Sequence, residues 1–239
     1  MALIRLDKYL SNQAGMSRSE AREALKSLRV TVNGVTEKHY DYKVEPGKDI
    51  ITVNGNEIAY NEYLYVLLNK PKGVLTATED KHQKTVLDLL PEEMRRRDMA
   101  PVGRLDKDTT GLLLLTDDGV MAHKIISPKS KIEKEYIAVL DGAVTDEHVK
   151  AFAEGIKLAD GSECMPARLK ILGENTASIT ICEGKYHQIK RMFGTVGLGV
   201  NELSRIRIGQ LRIPEGLAEG EAVLLSGREE LLLKISKSS

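Results

Sequence analysis

The chain has 239 residues, 41% of them hydrophobic, with 35 basic and 35 acidic side chains and a formal net charge of zero. That length supports one large domain or two smaller ones, and a neutral total excludes a uniformly basic nucleic-acid coat while leaving room for local basic patches. The longest aliphatic run, Leu112–Leu115, is far short of the roughly 20 apolar residues of a membrane helix, and the start lacks the apolar stretch of a secretory signal, so a cytoplasmic protein is expected.

Apolar residues fall at helical spacing over 6–10 and 17–28, with Ser17 or Ser19 placed to cap the second helix. Val30–Gly34 then reads as a strand entering a tight Asn-Gly turn, and Ile50–Gly55 repeats the pattern. A small helix-plus-hairpin domain is expected over 1–60, joined without a long linker to a second domain over 61–239. In the second, strands are predicted at 63–68, 112–116, 136–140, 167–172, 177–182 and 202–208, and helices at 86–89, 120–126, 146–154 and 187–196. Asn69-Lys70-Pro71-Lys72-Gly73 forms a turn-rich basic loop between them. Strands and helices do not alternate as in a doubly wound sheet, so the fold class is α+β on a largely antiparallel sheet. The tail Ser236-Lys237-Ser238-Ser239 is expected to fray.

Two cysteines, Cys164 and Cys182, and five scattered histidines offer neither a disulfide framework nor metal-ligand spacing, so no metal is expected. A dinucleotide fingerprint and a phosphate-binding loop are also missing, which disfavours dehydrogenases, methyltransferases and nucleotide hydrolases. The basic residues cluster. Residues 1–30 carry six basic and three acidic side chains, and residues 185–212 carry six basic side chains against Glu202 alone. Two such patches on a neutral protein suit localised contact with phosphates, although either alone would equally be a solvated face.

Charged residues and glycines crowd into Gly103-Arg104-Leu105-Asp106-Lys107-Asp108-Thr109-Thr110-Gly111, directly before the apolar strand Leu112–Leu115. A loop anchored by a core strand is a common setting for function, but Asp and Thr before a strand are more often turn formers. Spacing alone does not decide between the two.

Residues 103–119 resemble throughout the signature of the pseudouridine synthases that act on ribosomal RNA. Lys134-Glu135-Tyr136 resembles that family's tyrosine-bearing strand, Gly184–Phe193 its third motif, and Lys70-Pro71-Lys72-Gly73 its opening motif. The segment from Arg5 through Ser17-Arg18 to Gly34 resembles the small RNA-binding S4 domain. The combination, and Tyr186–Arg191 in particular, is closer to the small-subunit branch of the family than to the large-subunit branches.

The resemblance implies that a uridine in ribosomal RNA is isomerised to pseudouridine, without a cofactor because no electrons or groups enter or leave. Asp106 would be the catalytic carboxylate, attacking the ring, attacking the sugar or removing a proton. Tyr136 would stack on the uracil, and Lys190, or its neighbour Arg191, would supply the cation that keeps Asp106 charged in a dry pocket. Arg104 would occupy the space that the flipped base leaves or hold the displaced strand, while Lys8, Arg18 and Arg22 grip phosphates. The expected partner is ribosomal RNA or a partly assembled small subunit, met by a monomer. A large-subunit substrate, or a non-catalytic RNA-binding assembly factor, are the alternatives; the second has no use for the carboxylate motif.

Overall fold

The computed structural model describes residues 2–235, and the expected frayed tail lies outside them. The backbone divides into two compact units, one made of residues up to Leu64 with Pro91–Asp98, the other of Tyr65–Leu90 with the chain from Met99 onward.

In the first unit the order is β1 (Ile4–Arg5), α1 (Leu6–Gln13), α2 (Arg18–Lys26), β2 (Val30–Val32), β3 (Val35–Thr36), β4 (Lys43–Val44), β5 (Ile51–Val53) and β6 (Asn56–Glu57). Ser17 begins α2 with a reciprocal cap: its hydroxyl accepts from the Glu20 N–H at 3.2 Å, and the Glu20 carboxylate accepts from the Ser17 N–H at 2.7 Å. Both Asn-Gly pairs form tight hairpins, with φ of 51° and 81° at Asn33-Gly34 and again at Asn54-Gly55. Leu6, Leu10, Ala21, Leu25, Val30 and Ile51 close the core between the helices and the sheet β3-β2-β5-β6.

The second unit contains β7 (Tyr65–Lys70), β8 (Ala100–Pro101), β9 (Thr110–Thr116), α3 (Gly119–Ile126), β10 (Lys134–Leu140), α4 (Asp146–Glu154), β11 (Arg168–Gly173), β12 (Thr176–Ile181), α5 (Gln188–Thr195), β13 (Val200–Ile208), β14 (Leu211–Arg212), β15 (Ala222–Leu224) and α6 (Arg228–Ile235). Seven strands lie in the order β11-β12-β10-β13-β9-β7-β15, with β14 on β13 and β8 on β9. Every pairing is antiparallel except β9 with β13. This is the α+β class that the sequence predicts.

Leu112–Leu115 are completely buried, so β9 is a central strand apolar on both faces. Its first turn requires Gly111, whose φ is +98° and where an added Cβ would run into the Arg205 backbone of the parallel neighbour β13. At its far end the buried Asp118 caps α3, accepting from the Met121 N–H at 3.0 Å, and accepts from the Tyr65 hydroxyl at 2.7 Å. The predicted helix at 86–89 is only a 3-10 turn, Leu87–Leu89, and the short strands β8, β14 and β15 and helix α6 were not anticipated. Among the described residues no helix is long and apolar enough to cross a membrane.

Candidate active site

Arg104, Asp106 and Asp108 lie on the loop between β8 and β9, and buried groups fix the shape of that loop. Lys70, at the end of β7, is fully buried; its ammonium donates to the carbonyls of Pro71, Lys107 and Thr109 at 3.1, 3.3 and 2.9 Å. Burial pushes its pKa down to about 8. The Thr76 hydroxyl donates to the Leu105 carbonyl at 2.7 Å and accepts from the Leu105 N–H at 3.3 Å. A turn bond from the Thr109 N–H to the Asp106 carbonyl completes the loop. Asp106 therefore presents its carboxylate from a rigid frame, the condition for positioning a reacting group.

That carboxylate opens into a cleft of about 980 Å³ shared with Arg104, Lys134, Tyr136, His187 and Arg205, a size within the usual range of ligand sites. An adjoining hollow of about 70 Å³ adds Lys190 and Leu203 to Asp106 and Tyr136. Tyr136 is buried in β10, Arg104 is exposed at the rim, and Lys8, Arg18 and Arg22 are exposed in the first unit.

The partner that faces Asp106 is not the expected lysine or arginine. Lys190 bonds both oxygens of Asp108, at 2.7 and 2.6 Å, and holds that carboxyl below its ordinary pKa. Arg191 pairs with Asp160 at 2.5 Å. His187 stands next to Asp106 instead, Nε2 to Oδ1 3.3 Å. It begins α5 in the left-handed region, φ 46°, with its ring stacked on Tyr186 at 3.8 Å. A non-glycine residue in that region is the kind of local strain that collects at functional sites.

Sequence reasoning missed His187, Thr76, Lys134 and Arg205 as members of this region. The alternation of β10, in which Lys134 and Tyr136 share a face, is the signal that would have found Lys134. Among the described residues no group of three His, Cys, Asp or Glu side chains is placed to hold a metal ion.

Residues 64–195 match the RNA pseudouridylate synthase family, and residues 4–50 match the S4 domain. The chain belongs to the RNA pseudouridylate synthase family. Its activity is therefore the isomerisation of uridine to pseudouridine in RNA, and its N-terminal unit carries an RNA-binding module. An uncharacterized RNA pseudouridine synthase of Bacillus subtilis (strain 168) is 40% identical, over 96% of this chain and 98% of that one. The ribosomal small subunit pseudouridine synthase A of Vibrio cholerae is 41% identical over 95% of this chain and 97% of its own. A crystal structure of a pseudouridylate synthase superposes with a TM-score of 0.66 at 35% identity, covering 97% of this chain and 99% of that chain.

Proposed function

We propose that this synthase modifies a uridine of small-subunit ribosomal RNA, with Asp106 as its catalytic carboxylate. The observation that carries the reading is the meeting of Arg104, Asp106, Tyr136 and the third-motif residues around one cleft, although they lie up to 86 positions apart in the chain. The choice of substrate is supported by the relatives in Vibrio cholerae and Escherichia coli named as small-subunit synthases, the latter 40% identical over 91% of this chain.

The target base leaves its stack, at a cost of roughly a few kcal/mol, and enters the cleft. Tyr136 offers it an aromatic face, Arg104 fills the vacated space or holds the displaced strand, and Asp106 acts on it from its fixed loop. Lys190, held by Asp108, keeps a positive charge at the mouth beside the incoming backbone. The unit over residues 1–60 grips phosphates through Lys8, Arg18 and Arg22 and so orients the partner, ribosomal RNA or a partly assembled small subunit.

Mapping pseudouridines across both ribosomal RNAs, with and without the gene, tests the proposal. One small-subunit position should lose its modification. Loss confined to large-subunit RNA would contradict the choice of substrate.

A further inference from the structure

β13 carries two buried arginines whose surroundings differ. Arg207 reaches Glu135 at 2.7 Å and Glu133 at 2.9 Å, and also donates to the Gly209 carbonyl. Two carboxylates answer its charge. Arg205, only 2% exposed, donates Nε to the Leu112 carbonyl at 2.8 Å and directs Nη1 to the Tyr136 hydroxyl at 3.5 Å, while its buried Nη2 has no hydrogen-bond partner. Tyr136 is its cross-strand partner on β10, and the guanidinium carbon stands 5.9 Å from the centre of that ring.

Two residues before Tyr136, and on the same face of β10, is a second buried cation. Lys134 is 7% exposed, and its ammonium donates to the Ile132 carbonyl at 3.2 Å. Burial first, and the charge of Arg205 second, push its pKa down to about 8. The other titratable group acting on it is the Cys182 thiol just past β12, and Tyr136 shares its face of β10. The glutamates on either side of it on the chain, Glu133 and Glu135, are taken by Arg168, Arg207, Arg212 and Ser178. Asp106 faces His187.

Among the described residues no carboxylate is bonded to either cation; two such buried like charges are expensive for a fold to keep, and such expense concentrates where charge is needed in a reaction. Both line the cleft of Asp106. The isomerisation itself supplies a transient anion. When the C1′–N1 bond breaks, its electron pair leaves with the base and spreads onto the two ring oxygens. When ring C5 then bonds to C1′, that negative charge is consumed, one proton leaves C5 and one is gained at N1, so no co-reactant enters.

We propose that Lys134, backed by Arg205, takes up the negative charge on the uracil oxygens as the base–sugar bond breaks. A backbone phosphate would offer the same anionic chemistry, but a base that has entered the cleft lies deeper than the sugar–phosphate chain that carries it, and the two cations belong to the buried face beside Tyr136. Donors aimed at charge that exists only during the reaction act on rate and leave ground-state binding unchanged.

The inference rests on the Asp106 cleft being the reaction site, so Asp106→Asn is run beside the Lys134 variants. The substrate is total RNA, tritiated at uracil C5 and extracted from cells lacking the gene. Tritium release is followed in a single turnover at saturating enzyme, with melting temperature and RNA affinity measured in parallel. Lys134→Met should slow release by about 10²–10³-fold, with affinity and its salt dependence unchanged. Lys134→Arg should recover at least tenfold of that loss. Wild-type kcat/KM is expected to fall as pH rises through about 8, where Lys134 would lose its proton, and Lys134→Arg should abolish that fall.

A Lys134→Met enzyme as fast as wild type would overturn the inference. So would weaker binding with a shallower salt slope at full rate, which would assign Lys134 to a phosphate, or an alkaline fall that persists in Lys134→Arg and so belongs to Lys70. Full activity in Asp106→Asn would remove the reaction from this cleft, whereas an inactive Asp106→Asn beside an unimpaired Lys134→Met would refute the role of Lys134 alone.

Discussion

In the N-terminal unit one carboxylate, Asp7, is fully buried and three arginines reach it from solvent; in the second unit Lys134 and Arg205 are buried and, among the described residues, no carboxylate is bonded to either. Asp7 accepts from Arg5 at 3.1 and 2.8 Å and from Arg22 at 3.4 Å, with Arg18 at 4.0 Å, and Tyr40 lies beneath the guanidinium groups of Arg5 and Arg22. Burial alone would raise the Asp7 carboxyl, but these partners bring it below its ordinary pKa. The arrangement holds exposed guanidinium groups in fixed positions while their outer donors stay open to phosphates, and it stabilises the fold as it does so. The cleft does the reverse. On the role proposed for Lys134 and Arg205, its buried charges weaken the fold and serve only when a complementary charge arrives. A buried charge whose hydrogen bonds are met, as at Asp7 and Lys70, reads as architecture, and one with a donor left over, as at Arg205, as chemistry.

The two regions should respond to mutation with opposite signs. Asp7→Asn removes the anion on which three cations converge and should destabilise the protein by about 3 kcal/mol at pH 7. Because the Asp7 pKa is lowered in the folded state, its contribution is present above the unfolded value near 4 and is lost as pH falls through the folded value. Melting curves of variant and wild type should converge once pH falls below that folded value.

Lys134→Met should instead raise stability at pH 7, by about 1–2 kcal/mol. The folded-state pKa of Lys134 is about 8 against an ordinary 10.5, so its destabilising effect is full below 8 and fades as pH rises toward 10.5. The advantage of the variant should fade over the same window. A lower melting point for Lys134→Met at pH 7 would make that lysine architectural.

Replacing Lys8, Arg18 and Arg22 together by glutamine should reduce the slope of log affinity against log salt by about 2–3, with the single-turnover rate at saturating enzyme unchanged. Smallest of all is the exposed pair of Lys190 and Asp108. A double-mutant cycle with Lys190→Met and Asp108→Asn should give a stability coupling below about 1 kcal/mol, which would leave that pair to RNA contact.

Much of this was legible in the sequence. The capping box at Ser17, the two Asn-Gly hairpins, the apolar strand Leu112–Leu115 and the loop carrying Asp106 are each dictated by local chemistry. The partners of the charges were not. Which acid Lys190 meets depends on how α5 packs beside the 103–109 loop, 82 positions away in the chain, and no spacing rule encodes that. His187 reaches Asp106 only because its backbone takes up the left-handed region, which the sequence around it does not announce. Arg205 and Arg207 are alike in sequence, and the bulge between Glu135 and Tyr136, which sets one opposite an acid and the other opposite a phenol, appears only in the sheet register.

The most direct test of the account compares Asp106→Asn with Asp108→Asn in release of tritium from uracil C5. Asparagine keeps the shape of the side chain and the backbone turn, and removes only the anionic oxygen. The account predicts that Asp106→Asn slows release by on the order of 10³-fold or more, with melting temperature and RNA affinity close to wild type. Asp108→Asn, which loses only an exposed ion pair, should stay within about tenfold of wild type. Near-normal release by Asp106→Asn would contradict the assignment, and a collapse of its melting temperature would make Asp106 a turn residue of the loop that Lys70 and Thr76 hold.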